Sequence, residues 1–179
     1  QRSLTSVAIQ PSMLPRSTYG SSLRTIIDPS GWRRLRRAAG RTTGGACAWC
    51  EEVTLAGRWR TWETHEVWTF DLVTKRQTLE AVVPLCRTCH LTQHLGYARR
   101  EGLEADVAAR VMLLNRWSHI ETAQAIAAAE HLASVRGRTA WDLDLTRWSA
   151  HIELLDWPEL FIPADARRAA VVRTINGTP

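Results

Sequence analysis

Four cysteines and three closely spaced histidines carry the chemistry that this sequence offers. The cysteines form two CxxC pairs, Cys47-Ala-Trp-Cys50 and Cys86-Arg-Thr-Cys89, with 35 residues between them and no cysteine left over. A CxxC turn presents two thiolates to one side, so two such turns complete the tetrahedral shell of a structural Zn²⁺ in a reducing compartment. A disulfide within each pair is the alternative reading of the same spacing. The second pair runs straight into His90-Leu-Thr-Gln-His94. Residues four apart on a helix share a face, so both imidazoles can reach one divalent ion. His65-Glu66, lying between the pairs, can supply the remaining ligand or a base, and one side of the ion stays open to a phosphate oxygen. The plainer reading of His65, His90 and His94 is that they extend or support the zinc knuckle. His119, His131 and His151 lie outside this constellation and receive no role.

These groups need a scaffold, and the flanking patterns predict one. Residues 63–71 and 77–85 are rich in β-branched and aromatic side chains and are separated by a polar Thr74-Lys75-Arg76 turn, which predicts an antiparallel hairpin. Side chains alternate along a strand, so Trp62, Glu66, Trp68 and Phe70 share one face, and Glu63, His65, Thr69 and Asp71 share the other. On that reading His65 points into the polar site and Glu66 into an aromatic layer. Residues 87–100 read as one helix ending at Gly102, with the second cysteine pair at its start. Residues 104–117 read as a helix with apolar positions at Val107, Ala108, Val111 and Leu114. Ser118-His-Ile-Glu121 is a capping box that opens another helix through about residue 135. Trp141-Asp-Leu-Asp-Leu145 reads as a short closing strand, and the end from Pro163 holds a short helix at most. Residues 1–23, rich in Ser, Pro and Gly, read as an extended arm. The nine tryptophans read as mostly core, with Trp49 in a position to cover the zinc.

The net charge of +5 is unevenly spread: residues 1–60 hold ten Arg and three acidic residues, and only Lys75 among the 23 basic residues is a lysine. Guanidinium suits bidentate phosphate contacts. A GC-rich genome also raises Arg content by default, and a basic stretch can be a solvated helix face. Arg33, Arg34, Arg36 and Arg37 nevertheless cluster on a predicted helix over 29–39 with Trp32, Leu35 and Ala39 as its apolar stripe, and Arg41 follows just beyond it, which points to a phosphate-contacting arm over 33–41. No run approaches the roughly 18 apolar residues of a membrane span, and no signal segment opens the chain. The expectation is a cytoplasmic protein, bacterial or phage-encoded, with no membrane partner. The start at Gln1 rather than Met points to a piece of a longer product.

The string CAWC…THEVWTFD…LEAVVPLCRTCHLTQH resembles the HNH endonucleases, in particular a subgroup with a His-Glu-x-Trp strand and a Cys₄ zinc. LPRSTYGSSLRTII before it and NRWS…WDLDL after it look like the flanks of predicted bacterial HNH nucleases, so the resemblance covers roughly residues 14–146. It implies an α+β fold with a ββα-metal core, structural zinc, an N-terminal arm and a helical C-terminal extension. The corresponding organisation is an arm and helix over 1–40, a nuclease core over 41–102 and an extension over 103–179. It further implies hydrolysis of DNA, expected to be double-stranded, with a catalytic Mg²⁺, Mn²⁺, Ni²⁺ or Zn²⁺ at the leaving 3′ oxygen. A defence, restriction or packaging complex is the implied setting. Carried over by position, His65 falls where the family places a metal-binding Asp or His, Glu66 where it usually places the general-base His, and His90 and His94 on the closing ligands. The middle Asn of the family name has no counterpart, since its place near Ala81 is apolar. The rival expectation is a non-catalytic zinc-knuckle module that binds nucleic acid or protein, and a third is an RNA-directed nuclease.

Overall fold

A hairpin forms where the alternating pattern placed it. In the computed structural model, which describes residues 8–19, 22–52, 62–152, 154 and 159–168, β1 (Glu63–Asp71) pairs antiparallel with β2 (Arg76–Leu85). Asp71 fixes the turn between them by accepting from the backbone N–H of Val73 at 2.8 Å and of Thr74 at 3.2 Å, and Lys75 closes it at φ 54°. The register steps between Val67 and Trp68, which face Ala81 and Leu79, so Glu80 is the extra residue of a bulge. The bulge lies beyond His65 and Glu66 and leaves their alternation intact.

Two short strands complete a four-stranded sheet in the order β1-β2-β3-β4. β3 (Asp142–Asp144) lies parallel to β2, and β4 (Phe161–Ile162) lies antiparallel to β3. Both come from the expected C-terminal extension, yet Leu143, Leu145 and Ile162 share one core with Leu79 and Val82 of the hairpin. α1 (Leu23–Ile26) and α2 (Pro29–Thr42) pack on the same core through Leu23, Ile27, Leu35 and Ala39. Asp28 caps α2 by accepting from Ser30 N–H at 2.6 Å and Gly31 N–H at 2.8 Å, with Pro29 at the first helical position.

The predicted single helix over 87–100 is corrected: it is broken into α3 (Arg87–Leu91) and α4 (Leu95–Arg100). The cause lies far away in sequence. Ser12 N–H donates to Thr92 O at 2.9 Å and Ser12 O accepts from Leu95 N–H at 3.1 Å, while Gln93 Nε2 donates to Gln10 O at 2.8 Å. These bonds replace helical ones and hold the break open. Residues 8–19 are therefore a strap that Ile9 also ties to Asn115 by two hydrogen bonds. The remainder of the expected arm, residues 1–7, 20 and 21, falls outside the described residues, as does the tail from 169.

α5 (Glu104–Asn115) and α6 (His119–Arg136) follow as predicted, and both halves of the capping box form between Ser118 and Glu121. Val107, Val111 and Ala129 join Leu91, Leu95 and Ala98 in a second core beneath the broken helix. Only Trp62 and Trp141 of the seven described tryptophans are buried, and Trp32 and Trp68 line a cleft together with Trp62. Among the described residues no helix is long and apolar enough to cross a membrane.

Candidate metal centre and cleft

The two CxxC turns meet at one end of the hairpin. The first is held to β2 by the Ala48 N–H to Pro84 O bond at 2.9 Å, and the second is the entry to α3, where His90 N–H donates to Cys86 O at 2.9 Å. The sulfurs of Cys47, Cys50, Cys86 and Cys89 all lie within 4.8 Å of one another, and no disulfide joins them. Cys89 donates to Cys47, which holds the Cys47 thiol down at about 4 and pushes Cys89 itself well up. Burial, then the neighbouring Cys47 and Cys86, pushes Cys50 up to about 11. Ionisation of Cys47 thus opposes that of Cys50 and Cys89, and a cation among them relieves that opposition. The donor set fits a structural metal such as zinc.

Arg110 serves the same cluster, a role that sequence patterns did not indicate. Its guanidinium donates to Cys89 Sγ at 3.2 and 3.3 Å and approaches Cys86 Sγ at 3.6 Å, and it pairs with Glu52 at 3.7 Å. Burial lowers its pKa, but the hydrogen bond to Cys89 and the nearby cysteine sulfurs outweigh that and raise it. The one signal in the sequence is a lone Arg at helical spacing within the stripe of Val107 and Leu114.

His65, His90 and His94 converge beside this cluster. Their ring nitrogens lie within 4.8 Å of one another, with His90 Nε2 and His94 Nε2 at 2.9 Å. His90 and His94 do not share one continuous helix, yet the break still brings His94 onto His90. Burial, reinforced by His94 and His90, pushes His65 down to about 3, and burial with His90 pushes His94 down to about 4 against the charge of Glu63, so both are neutral at pH 7. Glu63, on the His65 face of β1, turns its carboxylate to His90 Nδ1 and also meets Arg87 at 3.3 Å. Trp49 does not simply cap the cysteines; its ring edge also faces His65, at 6.2 Å between centroids.

Glu66 occupies a different position. Its Oε1 accepts from Leu23 N–H at 2.9 Å and its Oε2 from Trp68 Nε1 at 3.1 Å, so it caps α1 where Ser22 makes no capping bond. Burial pushes its pKa up to about 7 against those bonds, the Arg24 backbone and the charge of Arg167. Both Glu66 and His65 nonetheless line one cleft of about 420 Å³, together with His90, His94, Trp32 and Trp68.

A second groove of about 500 Å³ adjoins the cleft through Arg36, Trp62 and Thr64 and is lined by Arg33, Arg37 and Arg41. Arg36 is anchored there by donating to Trp62 O at 2.8 Å. The basic cluster therefore divides: Arg34 turns away, donating to Ser30 Oγ at 2.9 Å and lying 3.9 Å from Asp28. His119, His131 and His151 are exposed. Compared with known proteins, the chain matches no family model, no curated protein and no solved structure.

Proposed function

We propose that the protein is a metal-dependent endonuclease of the HNH type that hydrolyses DNA phosphodiesters. The observation that carries this reading is the convergence of three recessed imidazoles, two of them held neutral, in a cleft continuous with an arginine-lined groove. A zinc-binding module alone has no need of a second donor set beside its cysteines. His65, His90 and His94 would hold the divalent ion, and that ion supplies positive charge to the leaving 3′ oxygen. Glu63 fixes the ring of His90 through Nδ1 and leaves Nε2 directed at the site. Arg33, Arg36, Arg37 and Arg41 bind the phosphates that flank the scissile one. Glu66 is the cleft carboxylate not committed to His90, and Leu23 and Trp68 fix its orientation. It takes the proton of the water that attacks phosphorus, and the bond to the 3′ oxygen then breaks.

The test is cleavage of supercoiled plasmid with Mg²⁺, Mn²⁺ or Ni²⁺. His65→Ala and His90→Ala should each abolish nicking while zinc content and DNA binding stay near the wild-type values, because the cysteine cluster is a separate site. Products should carry 5′-phosphate and 3′-hydroxyl ends. Equal nicking by wild type and His65→Ala in all three metals would assign the activity to a contaminant and leave the binding-module reading in its place.

A further inference from the structure

Three distant parts of the chain meet around a pocket of about 370 Å³: the turn Arg16–Thr18, the loop between α6 and β3, and the helical turn at 164–168. Its walls carry four guanidinium groups, from Arg16, Arg138, Arg167 and Arg168, and the hydroxyls of Tyr19 and Thr139. No carboxylate is among the lining residues. Among the described residues Arg16, Arg138 and Arg168 form no ion pair, although seven other arginines of the chain do. Arg167 forms the floor: it is 6% exposed and its Nη1 donates to Gln77 Oε1 at 2.7 Å, so its position is set by the core. Burial pushes its pKa down to about 10, and the charge of Glu66 offsets this only in part. Three arginines without an ion pair around a buried fourth make this concave site electropositive, and a multiply charged anion is the ligand that suits it. Guanidinium forks and hydroxyl donors match phosphoryl oxygens in geometry.

We infer that this pocket binds phosphoryl groups of a nucleotide, at a site separate from the histidine cleft. It shares no lining residue with that cleft, so it stands whether or not the protein cuts DNA. The phosphoryl group belongs either to a free nucleotide polyphosphate or to a nucleic-acid strand passing over this end of the sheet. Titration calorimetry of the full chain with tripolyphosphate and with ATP, and DNA affinity measured over a range of salt, distinguish the two sources.

The variant is Arg138→Gln with Arg168→Gln, two exposed positions whose replacement leaves the core hydrogen bond of Arg167 in place. A charge-assisted hydrogen bond is worth about tenfold or more in affinity. Tripolyphosphate binding by the wild type that weakens about a hundredfold in the double variant supports a free-nucleotide site. Absent tripolyphosphate binding, a DNA salt slope reduced by about 0.9 for each phosphate no longer neutralised supports a strand-backbone site. If the double variant melts early, Arg138→Gln alone is read in the same way. Wild-type values for both ligands in a folded variant overturn the inference.

Discussion

Glu63 is the residue on which the orientation of the histidine cluster turns. A carboxylate against Nδ1 fixes the tautomer of His90 and raises the basicity of the opposite nitrogen, and loss of such a partner typically costs about ten- to a hundredfold in metal affinity. Glu63→Gln should therefore weaken Mn²⁺ binding, measured by calorimetry on the zinc-loaded protein, by about that factor. Unchanged affinity would show that the carboxylate serves Arg87 alone. The cysteines and histidines were legible in the sequence because their type and spacing are rarely used for anything else. Glu63 and Arg110 were not, since an acid on a half-exposed strand and an arginine on a helix ordinarily face solvent. Their partners lie 27 and 21 residues away, and only the fold brings them together. Glu66 was placed at the site only by the family resemblance, since strand alternation pointed it into an aromatic layer, and its bond to Leu23 spans 43 residues with no local pattern to announce it.

At the scale of elements, α2 presents the arginines, and Asp28 caps its start. Hydrogen bonds from Ser30 and Gly31 hold the Asp28 carboxyl below the usual aspartate range. A depressed folded pKa contributes stability that is complete above the unfolded value of about 3.9 and is lost as pH falls through the folded value. Acid titration should thus loosen α2 below about pH 4 in the wild type, and Asp28→Ala should remove that part of the transition when the α2 amides are followed by NMR. An identical acid transition in the variant would place the titration elsewhere. Periodicity marked the hairpin, α2, α5 and α6 to within a few residues, because the hairpin turn, α2 and α6 carry their own turn or capping residues and α5 follows the Gly102 turn. The break between α3 and α4 carried no such mark. Residues 87–100 hold neither proline nor an interrupted pattern, and the bonds that break them come from residues 10 and 12.

Across the whole molecule, the groove along α2 and the cleft share a wall at Arg36, Trp62 and Thr64, and the proposed function would run a strand along both. Replacing Arg33, Arg37 and Arg41 with Gln should reduce the salt slope of DNA binding by up to about 0.9 per phosphate. Arg34→Gln should leave the slope unchanged, since Arg34 is turned to Asp28 and Ser30. An equal effect from Arg34 would mean that net charge, not the groove, governs affinity. The sheet itself was only half legible: β3 was foreseen as a short strand, but its parallel pairing with β2 sets Arg76 beside Asp142, and nothing local to either segment foretells so distant a partner.

The two hydrogen bonds of Ser12 across the helix break make the strap a chock under one histidine. If the strap lifts, the Leu95 amide loses Ser12 O and is free to return to Leu91 O, and a rejoined helix would swing His94 to a new azimuth. The Leu95 amide is therefore a gauge of the cleft read from outside it. Its exchange with deuterium should be slow in the intact chain and fast after deletion of residues 1–12, and divalent-ion affinity should fall in step. Fast exchange at Leu95 with affinity intact would mean that the histidines hold their own geometry and the strap only follows.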